Sequence, residues 1–342
     1  MRKLFVLFYA LLCLVSVQAQ KVTLQDVANG TYRAQNIQGL KPSLDGEHYT
    51  QISKDHKRIV KYSFKTGKEV ATVFDVTTAR NHTLKSFDDY IMSPDESLIL
   101  IQTETKPIYR RSFTAVYYIY NVRNRTLEPL SNNGPQQVPL FSPDSHQIAF
   151  VRNNNIYLVK LLFGNSESQV TKDGEYNKVL NGIPDWVYEE EFGFNRAFDF
   201  SADSRMIAYI RFDESQVPMF SFPWYKGMAP EKTEYATYPG SYNYKYPKAG
   251  VSNSKVSVHT FDIKSHVIRK MELPVDSDGY VPRIKFTDDP EKLAIMTLNR
   301  HQNRFDLYMA NPRSAICKVA IRDEAEQYIN CLLYTSPSPR DS

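Results

Sequence analysis

Three stretches decide the fold: SPDESLILI (residues 93–101), SPDSHQIAFV (142–151) and SADSRMIAYI (201–210). Each places a Ser two residues before an Asp and then continues into an apolar run. Ser and Asp side chains bind nearby backbone amides and close a turn, and an apolar run after a turn is typical of a strand. The phrase therefore predicts a turn that leads into a buried strand.

The phrase recurs along the chain. Two weaker copies, SLDGEHYTQI and TDDPEKLAIM, bring the number to five, and the intervals between successive Asp residues are 50, 49, 59 and 86. A period near fifty with about four short strands per unit is typical of propeller blades, since solenoid repeats tend to be shorter. We therefore predict an all-β protein, a β-propeller of which about five blades can be counted. The five Asp residues are Asp45, Asp95, Asp144, Asp203 and Asp289.

Within the units, the pattern predicts local antiparallel pairs. RIVKYSF and KEVATVF flank the turn KTG, and IAFV and IYLVKL flank an Asn-rich turn. The last interval is long because residues 214–250, rich in Pro, Tyr and Lys, are inserted between two strands of one blade. Long insertions of this kind tend to be functional.

The N-terminus indicates export. Arg2 and Lys3 precede an apolar stretch from Leu4 to Val17 and a small-residue cleavage site, so residues 1–19 are predicted to be a signal peptide. An uncleaved anchor would need about 20 apolar residues, more than this stretch supplies. We expect a periplasmic or extracellular protein without a membrane span after cleavage. Its 42 basic and 38 acidic residues are spread along the chain, and this excludes a nucleic-acid surface.

The sequence contains little catalytic machinery. No two glycines stand four apart, so a Gly-x-Ser-x-Gly nucleophile elbow is absent. The seven histidines form no zinc motif, and no glycine-rich loop could cradle a phosphate. We predict no catalytic residue, no metal and no cofactor for this chain.

One acidic segment does suggest binding. NGIPDWVYEEEFGFNRAF, residues 181–198, places Glu189, Glu190 and Glu191 between aromatic residues. Adjacent carboxylates repel, and apolar neighbours make their charge harder to hold unless a cation arrives. A bound amine would satisfy them through charge-assisted hydrogen bonds. Two alternatives stay open: a solvated acidic turn capping a short helix, and a calcium site, which would want more oxygen ligands.

A second segment, KPIYRRSFTAVYYIY, places Arg110 and Arg111 at the start of a strongly alternating strand. The planar arginine fork suits a carbonyl or carboxylate partner. The alternative is an arginine pair on a solvated strand edge.

These two segments carry a family resemblance. DWVYEEE resembles the double-glutamate motif of the dipeptidyl peptidase IV family, and YRRS with its aromatic strand is similar to that family's substrate-contacting arginine segment. RFDESQVP, YPKAG and NNNIY match as well, so the resemblance covers about residues 21–330. It implies an eight-bladed propeller stacked on an α/β-hydrolase domain. Two or three blades and the whole catalytic domain, with its serine triad, would then be missing from this chain.

The resemblance also implies roles for individual residues. Glu190 and Glu191 would hold the free N-terminal ammonium of a peptide, and Arg110 would contact its carbonyl. The full-length protein would be a secreted serine dipeptidyl peptidase that releases X-Pro or X-Ala dipeptides, whereas this fragment would be inactive by itself. Phe194 departs from the pattern, since mammalian members have a small hydroxyl residue there. Homodimers are common in the family, but their main contacts involve parts that this chain lacks.

Two other functions compete with this one. The first is a non-catalytic periplasmic or surface propeller that binds a ligand or a protein partner. The second is an endopeptidase of the same clan, which would have no use for an amine clamp. The propeller domain is expected to span residues 21–330. Residues 331–342, CLLYTSPSPRDS, resemble translated sequencing adaptor and are expected to be a non-native tail.

Overall fold

Residues 21–34, 39–225 and 237–330 are described by the structure, which is a computed structural model. The predicted signal peptide and the predicted tail lie outside these residues. The described chain falls into two units that separate at residue 40. In the first, helix α1 (Leu24–Ala28) starts with a capping box, in which the hydroxyl of Thr23 accepts the backbone N–H of Asp26 and the Asp26 carboxylate accepts that of Thr23.

The second unit consists of antiparallel sheets, four of which are four-stranded blades in simple chain order. Blade 1 pairs β1 (Lys41–Pro42), β2 (His48–Ile52), β3 (Arg58–Ser63) and β4 (Glu69–Asp75). Blade 2 pairs β5 (Asp89–Met92), β6 (Leu98–Pro107), β7 (Phe113–Asn121) and β8 (Leu127–Pro129). Blade 3 pairs β9 (Gln137–Phe141), β10 (Gln147–Arg152), β11 (Asn155–Lys160) and β12 (Ser166–Gln169), with a 3-10 turn at Leu161–Phe163.

Blade 4 follows the same plan with additions, and blade 5 follows it without any. Blade 4 contains β13 (Val179–Asn181), β14 (Phe198–Phe200), β15 (Met206–Asp213), β18 (Lys255–Asp262) and β19 (Val267–Lys270). Helix α2 (Trp186–Glu191) lies between β13 and β14, and the hairpin β16 (Met219–Trp224) and β17 (Gly240–Lys245) lies between β15 and β18. Blade 5 pairs β20 (Tyr280–Phe286), β21 (Leu293–Leu298), β22 (Arg304–Ala310) and β23 (Cys317–Glu324).

The hydrophobic core lies between neighbouring blades. Side chains alternate across a strand, so Ile99 and Ile101 of β6 pack toward blade 1 while Leu100 packs toward blade 3. The second strands of blades 3 and 4 are shared between two cores in the same way. Because both faces are covered, these strands read as continuous apolar runs such as LILI and IAFV.

The repeated phrase forms the turn between the first and second strands of each blade. In blade 2 the Ser93 hydroxyl donates to Asp95 at 2.6 Å and accepts the Leu98 N–H at 2.9 Å. Blades 3 and 4 repeat the Ser–Asp bond at 2.5 and 2.6 Å. The residue after the Asp is left-handed in four of the five turns, at Gly46, Glu96, Ser145 and Ser204.

These turns also join the blades. The backbone N–H of Asp95 donates to the Ser145 hydroxyl of blade 3 at 3.2 Å, and that of Asp144 donates to the Ser204 hydroxyl of blade 4 at 3.0 Å. The repeat therefore fixes both the shape of one blade and its attachment to the next.

The predicted all-β propeller with five countable blades is confirmed. The two hairpins expected within blades 1 and 3 form as β3–β4 and β10–β11. The insertion expected at residues 214–250 carries the extra hairpin β16–β17, and its residues 226–236 lie outside the described part. The longer intervals of 59 and 86 residues thus correspond to α2 and this hairpin.

Candidate functional site

Helix α2 carries the three glutamates that the sequence singles out. Asp185 caps its first turn, because its Oδ1 accepts the backbone N–H of Tyr188 at 3.0 Å. The other oxygen accepts the Ser254 hydroxyl at 2.5 Å, and burial raises the pKa of this carboxyl group. The cap ties the start of α2 to the segment that leads into β18.

Tyr188 fixes α2 to blades 4 and 5. Its buried ring packs against Phe212 of β15 with centroids 4.8 Å apart, and its hydroxyl accepts the backbone N–H of Val281 in β20 at 3.0 Å. Phe192, one helical turn later, contacts the same ring at 5.1 Å. One side of the helix is thus packed into the core, and the carboxylates project from its other sides.

The three glutamates occupy different environments, since successive helical residues are rotated by about 100°. Glu189 is buried, with 1% of its surface exposed. Glu190 is 19% exposed at its side chain. Glu191 is exposed and lines a cavity of about 260 Å³ with Tyr280 and Gln302 of blade 5. The run EEE is therefore not one acidic surface.

The arginine loop, residues 108–112, connects β6 and β7 and lies against α2. The Nε of Arg110 donates to both Glu190 oxygens, at 2.8 and 3.2 Å. The Arg110 side chain is 70% exposed, and its terminal nitrogens make no hydrogen bond to the described residues. The loop therefore presents a guanidinium group whose Nε binds a carboxylate and whose terminal nitrogens bind no described residue.

Glu189 binds the backbone of the same loop. Its Oε1 accepts the backbone N–H groups of Arg111 and Ser112, the latter at 2.8 Å. Its Oε2 is buried and has no hydrogen-bond partner among the residues described. A turn at Gly193, whose φ of +70° favours glycine, brings Asn195 back so that its side-chain amide donates to the Arg111 carbonyl at 2.9 Å.

The aromatic hairpin, residues 219–224 and 240–246, packs against both α2 and the arginine loop. Tyr246 contacts Trp186 of α2 with ring centroids 4.5 Å apart, and Tyr244 contacts Tyr109 of the arginine loop at 5.7 Å. The Tyr242 hydroxyl donates to the Ile108 carbonyl at 3.2 Å. The insertion singled out in the sequence is thus part of the wall around the site.

A further carboxyl group, Glu214, is buried next to this site at the end of β15. Burial, reinforced by the negative charge of Asp185, raises the pKa of Glu214 to about 7. Burial also raises the pKa of Tyr109 well above its usual range, and the nearby Glu214 charge adds to this effect. Burial beside the site therefore disfavours the negatively charged forms of Asp185, Glu214 and Tyr109.

The structure brings two of the three predicted site residues into direct contact, Arg110 and Glu190. Glu191 has no hydrogen bond or ion pair within the described residues, so it makes neither with Arg110. The sequence did not reveal the pair between Arg110 and Glu190, nor the role of Glu189. A helical wheel places Glu189 and Glu191 on opposite flanks of the face formed by Tyr188 and Phe192, so it could not tell which of the two is buried.

Comparisons with known proteins place the chain in a family. Residues 93–341 match the family model of the dipeptidyl peptidase IV N-terminal region. The crystal structure of Porphyromonas gingivalis dipeptidyl peptidase 4 is similar with a TM-score of 0.84 and 42% identity, over 91% of this chain and 43% of that one.

Curated relatives agree with this match. Human prolyl endopeptidase FAP is 32% identical over 294 residues, which is 82% of this chain and 36% of that protein. Dipeptidyl-aminopeptidase B of Emericella nidulans is 37% identical over 241 residues, 68% of this chain and 25% of that protein. The chain thus spans well under half the length of the relatives it matches. In the part described, no helix combines the length and the apolar character that a membrane span requires. From these matches and its blade architecture, the chain belongs to the dipeptidyl peptidase IV family, as its N-terminal β-propeller region.

Proposed function

We propose that this propeller selects substrates for a serine dipeptidyl peptidase that releases X-Pro and X-Ala dipeptides from free peptide N-termini. The observation that carries the proposal is the ion pair between Arg110 and Glu190, next to Glu191 on α2, which has no hydrogen bond or ion pair to any residue that the structure describes. In this proposal Glu190 and Glu191 accept hydrogen bonds from the substrate ammonium. The terminal nitrogens of Arg110 donate to a peptide carbonyl.

The donor and acceptor inventory supports this assignment. An ammonium group has three N–H donors, and carboxylates are its strongest acceptors in proteins. Glu190 is held by the Nε of Arg110, so a ligand amine would find an oriented acceptor there and, at Glu191, one that binds nothing in the described part of the chain. The guanidinium keeps its planar fork available for a carbonyl oxygen.

In this proposal, the fixed position of the substrate ammonium also accounts for the release of two residues at a time. A fixed ammonium position leaves a constant length of peptide between the amine and the hydrolytic centre, which the proposal places on a separate α/β-hydrolase domain. The aromatic hairpin and α2 wall the site. A long N-terminal extension would have to displace them.

The test uses the full-length protein, obtained by extending the reading frame past residue 330. Release of Gly-Pro is measured from a reporter with a free amine and from the same reporter with a blocked amine. We expect cleavage of the free form alone, and a frame that contains a Gly-x-Ser-x-Gly elbow followed by Asp and His. The blocked arm is informative because one matched relative is named a prolyl endopeptidase.

Variants connect this activity to the proposed residues. Glu191→Gln removes one charged acceptor, so kcat/KM for the free-amine reporter is expected to fall about 10- to 100-fold. Glu69→Gln, an exposed glutamate at the start of β4 in blade 1, is the matched control and should leave kcat/KM unchanged. Equal cleavage of both reporters would favour the endopeptidase, and cleavage of neither would favour a ligand-binding propeller.

We further propose that the protein is exported, on the strength of the sequence of its first 19 residues. Expression of the full-length gene in a bacterial host should yield a mature chain that begins at Gln20. A chain that keeps Met1 and stays in the cytoplasmic fraction would contradict this.

A further inference from the structure

The buried carboxylate of Glu189 joins α2 to the arginine loop. Its Oε1 accepts two successive backbone N–H groups, those of Arg111 and Ser112, from a segment 77 to 78 residues away in the chain. Burying a carboxylate is costly unless it is hydrogen-bonded, and charged acceptors make the stronger bonds to backbone amides. This contact is therefore a strong attachment between two parts of the site.

The attachment acts on the backbone of Arg110 itself. The N–H of Arg111 belongs to the peptide unit that follows the Cα atom of Arg110, so binding this N–H fixes the starting point of the Arg110 side chain. Asn195 binds the carbonyl of Arg111 and Tyr242 binds that of Ile108. Of these contacts, the one through Glu189 starts from the helix that also carries Glu190 and Glu191.

We propose that Glu189 is a positioning residue that sets the distance between the carbonyl-binding Arg110 and the amine-binding Glu190 and Glu191. This inference rests on the proposed function of those three residues. Glu189 does not touch substrate in this assignment, since its carboxylate is buried behind the arginine loop. It acts on substrate through the placement of Arg110.

The test measures KM and kcat separately in the full-length enzyme, with active-site titration to count functional molecules. Glu189→Ala removes both acceptor contacts, so KM for the free-amine Gly-Pro reporter is expected to rise about tenfold while kcat stays within about twofold. Glu189→Gln keeps one oxygen for the two N–H groups and should hold KM within about threefold of wild type.

A double variant shows whether Glu189 acts through Arg110. Arg110→Ala should itself raise KM, and adding Glu189→Ala should increase it by less than about twofold more. Glu167→Ala in blade 3 is the structural control. It leaves the buried Arg152 without its carboxylate partner, so it should lower stability without changing KM. If Glu189→Ala does not fold, Glu189→Asp replaces it in the test. Its side chain is one methylene shorter, which moves the carboxylate away from the arginine loop, so this variant should raise KM by itself.

The possible failures are distinguishable. Unchanged KM in Glu189→Ala, or in Glu189→Asp where Ala does not fold, overturns the positioning role if Arg110→Ala and Glu191→Gln do raise KM. Unchanged KM in Arg110→Ala and Glu191→Gln overturns the proposed function and this inference with it. A rise in KM for Glu189→Ala that adds fully to that of Arg110→Ala would show an action independent of the arginine, which also contradicts the inference.

Discussion

The two ends of the blades use carboxylates in opposite ways. At the turn end, Asp95 and Asp203 take hydrogen bonds from Ser93 and Ser201, two residues away in the chain. At the site end, the partners of Glu190 and Glu189 lie 80 and 77 to 78 residues away, and Glu191 has no partner in the described part. Locally satisfied carboxylates build the blade, whereas the others can bind a segment or a ligand from elsewhere.

One carboxyl group at each end differs in its pKa as well. Burial tends to raise the pKa of Asp95, but hydrogen bonds from Ser93 and Ser97 outweigh it and lower the pKa to about 2. At the site end, burial of Glu214 is reinforced by the Asp185 charge, and its pKa rises to about 7. The carboxylate of Asp95 is therefore stabilised by hydrogen-bond donors, whereas burial beside the site disfavours the charged form of Glu214.

The largest expected effect is the loss of activity when both carboxylates proposed to bind the substrate amine are neutralised. Glu190→Gln with Glu191→Gln in the full-length enzyme should lower kcat/KM for the free-amine reporter by at least about 100-fold, since two charged acceptors are lost. Thermal stability should change little. The matched turn-end variant, Asp203→Asn, should do the reverse: unfolding shifts to lower temperature and kcat/KM is retained. Retained activity in the double variant would remove the distinction between the two ends.

The next effect concerns pH. Because the pKa of Glu214 is raised in the folded state, from 4.5 to about 7, the folded protein binds this proton more tightly than the unfolded chain does. The resulting stabilisation is present below about pH 4.5 and is lost as the pH rises to about 7; it is worth at most about 3 kcal/mol. Glu214→Gln cannot ionise and should therefore be more stable than wild type at pH 8.

Urea unfolding of the Glu214→Gln and wild-type proteins at pH 5 and pH 8 measures this difference. Glu175→Gln, which replaces an exposed glutamate paired with Lys178, is the control and should follow the wild-type pH dependence. A Glu214→Gln curve parallel to wild type across this range would show that the Glu214 carboxyl is not shifted.

A smaller effect is expected within one turn. Ser201→Ala removes the donor to Asp203 and the acceptor for the Met206 N–H, so it should lower the free energy of unfolding by about 1 to 2 kcal/mol. Chemical denaturation checks this value. No change in stability would mean that the repeated phrase is not what closes the turn.

The smallest effect is expected between blades. Ser204→Ala removes the acceptor for the backbone N–H of Asp144 and should cost about 0.5 to 1.5 kcal/mol. Ser204→Gly, which keeps the left-handed turn conformation but also lacks the hydroxyl, separates the hydrogen bond from backbone strain. If Ser204→Ala were as stable as wild type, the inter-blade bond would contribute nothing.

The blade architecture could be predicted from the sequence because its signals are local. The Ser–Asp turns, the apolar runs after them and the hairpins within blades 1 and 3 all involve residues close in the chain. The longer intervals between the Asp residues indicated the inserted segments as well. The short helices α1 and α2 were the exceptions to an otherwise all-β pattern.

The site could be predicted only in part, because its contacts are not local. The acidic segment and the arginine segment were each identifiable, and the family resemblance assigned Arg110, Glu190 and Glu191. The burial of Glu189 depends on where the arginine loop arrives, which the residues of α2 do not encode. The pairing of Arg110 with Glu190 requires the fold for the same reason.

The most direct test of the central claim is a crystal structure of the full-length protein with a bound Val-Pro dipeptide. We predict that the dipeptide nitrogen lies within about 3.2 Å of carboxylate oxygens from both Glu190 and Glu191, with Arg110 donating to the first carbonyl. A dipeptide amine bound elsewhere, or held by neither glutamate, would contradict the claim that this propeller selects substrates by their free N-terminus.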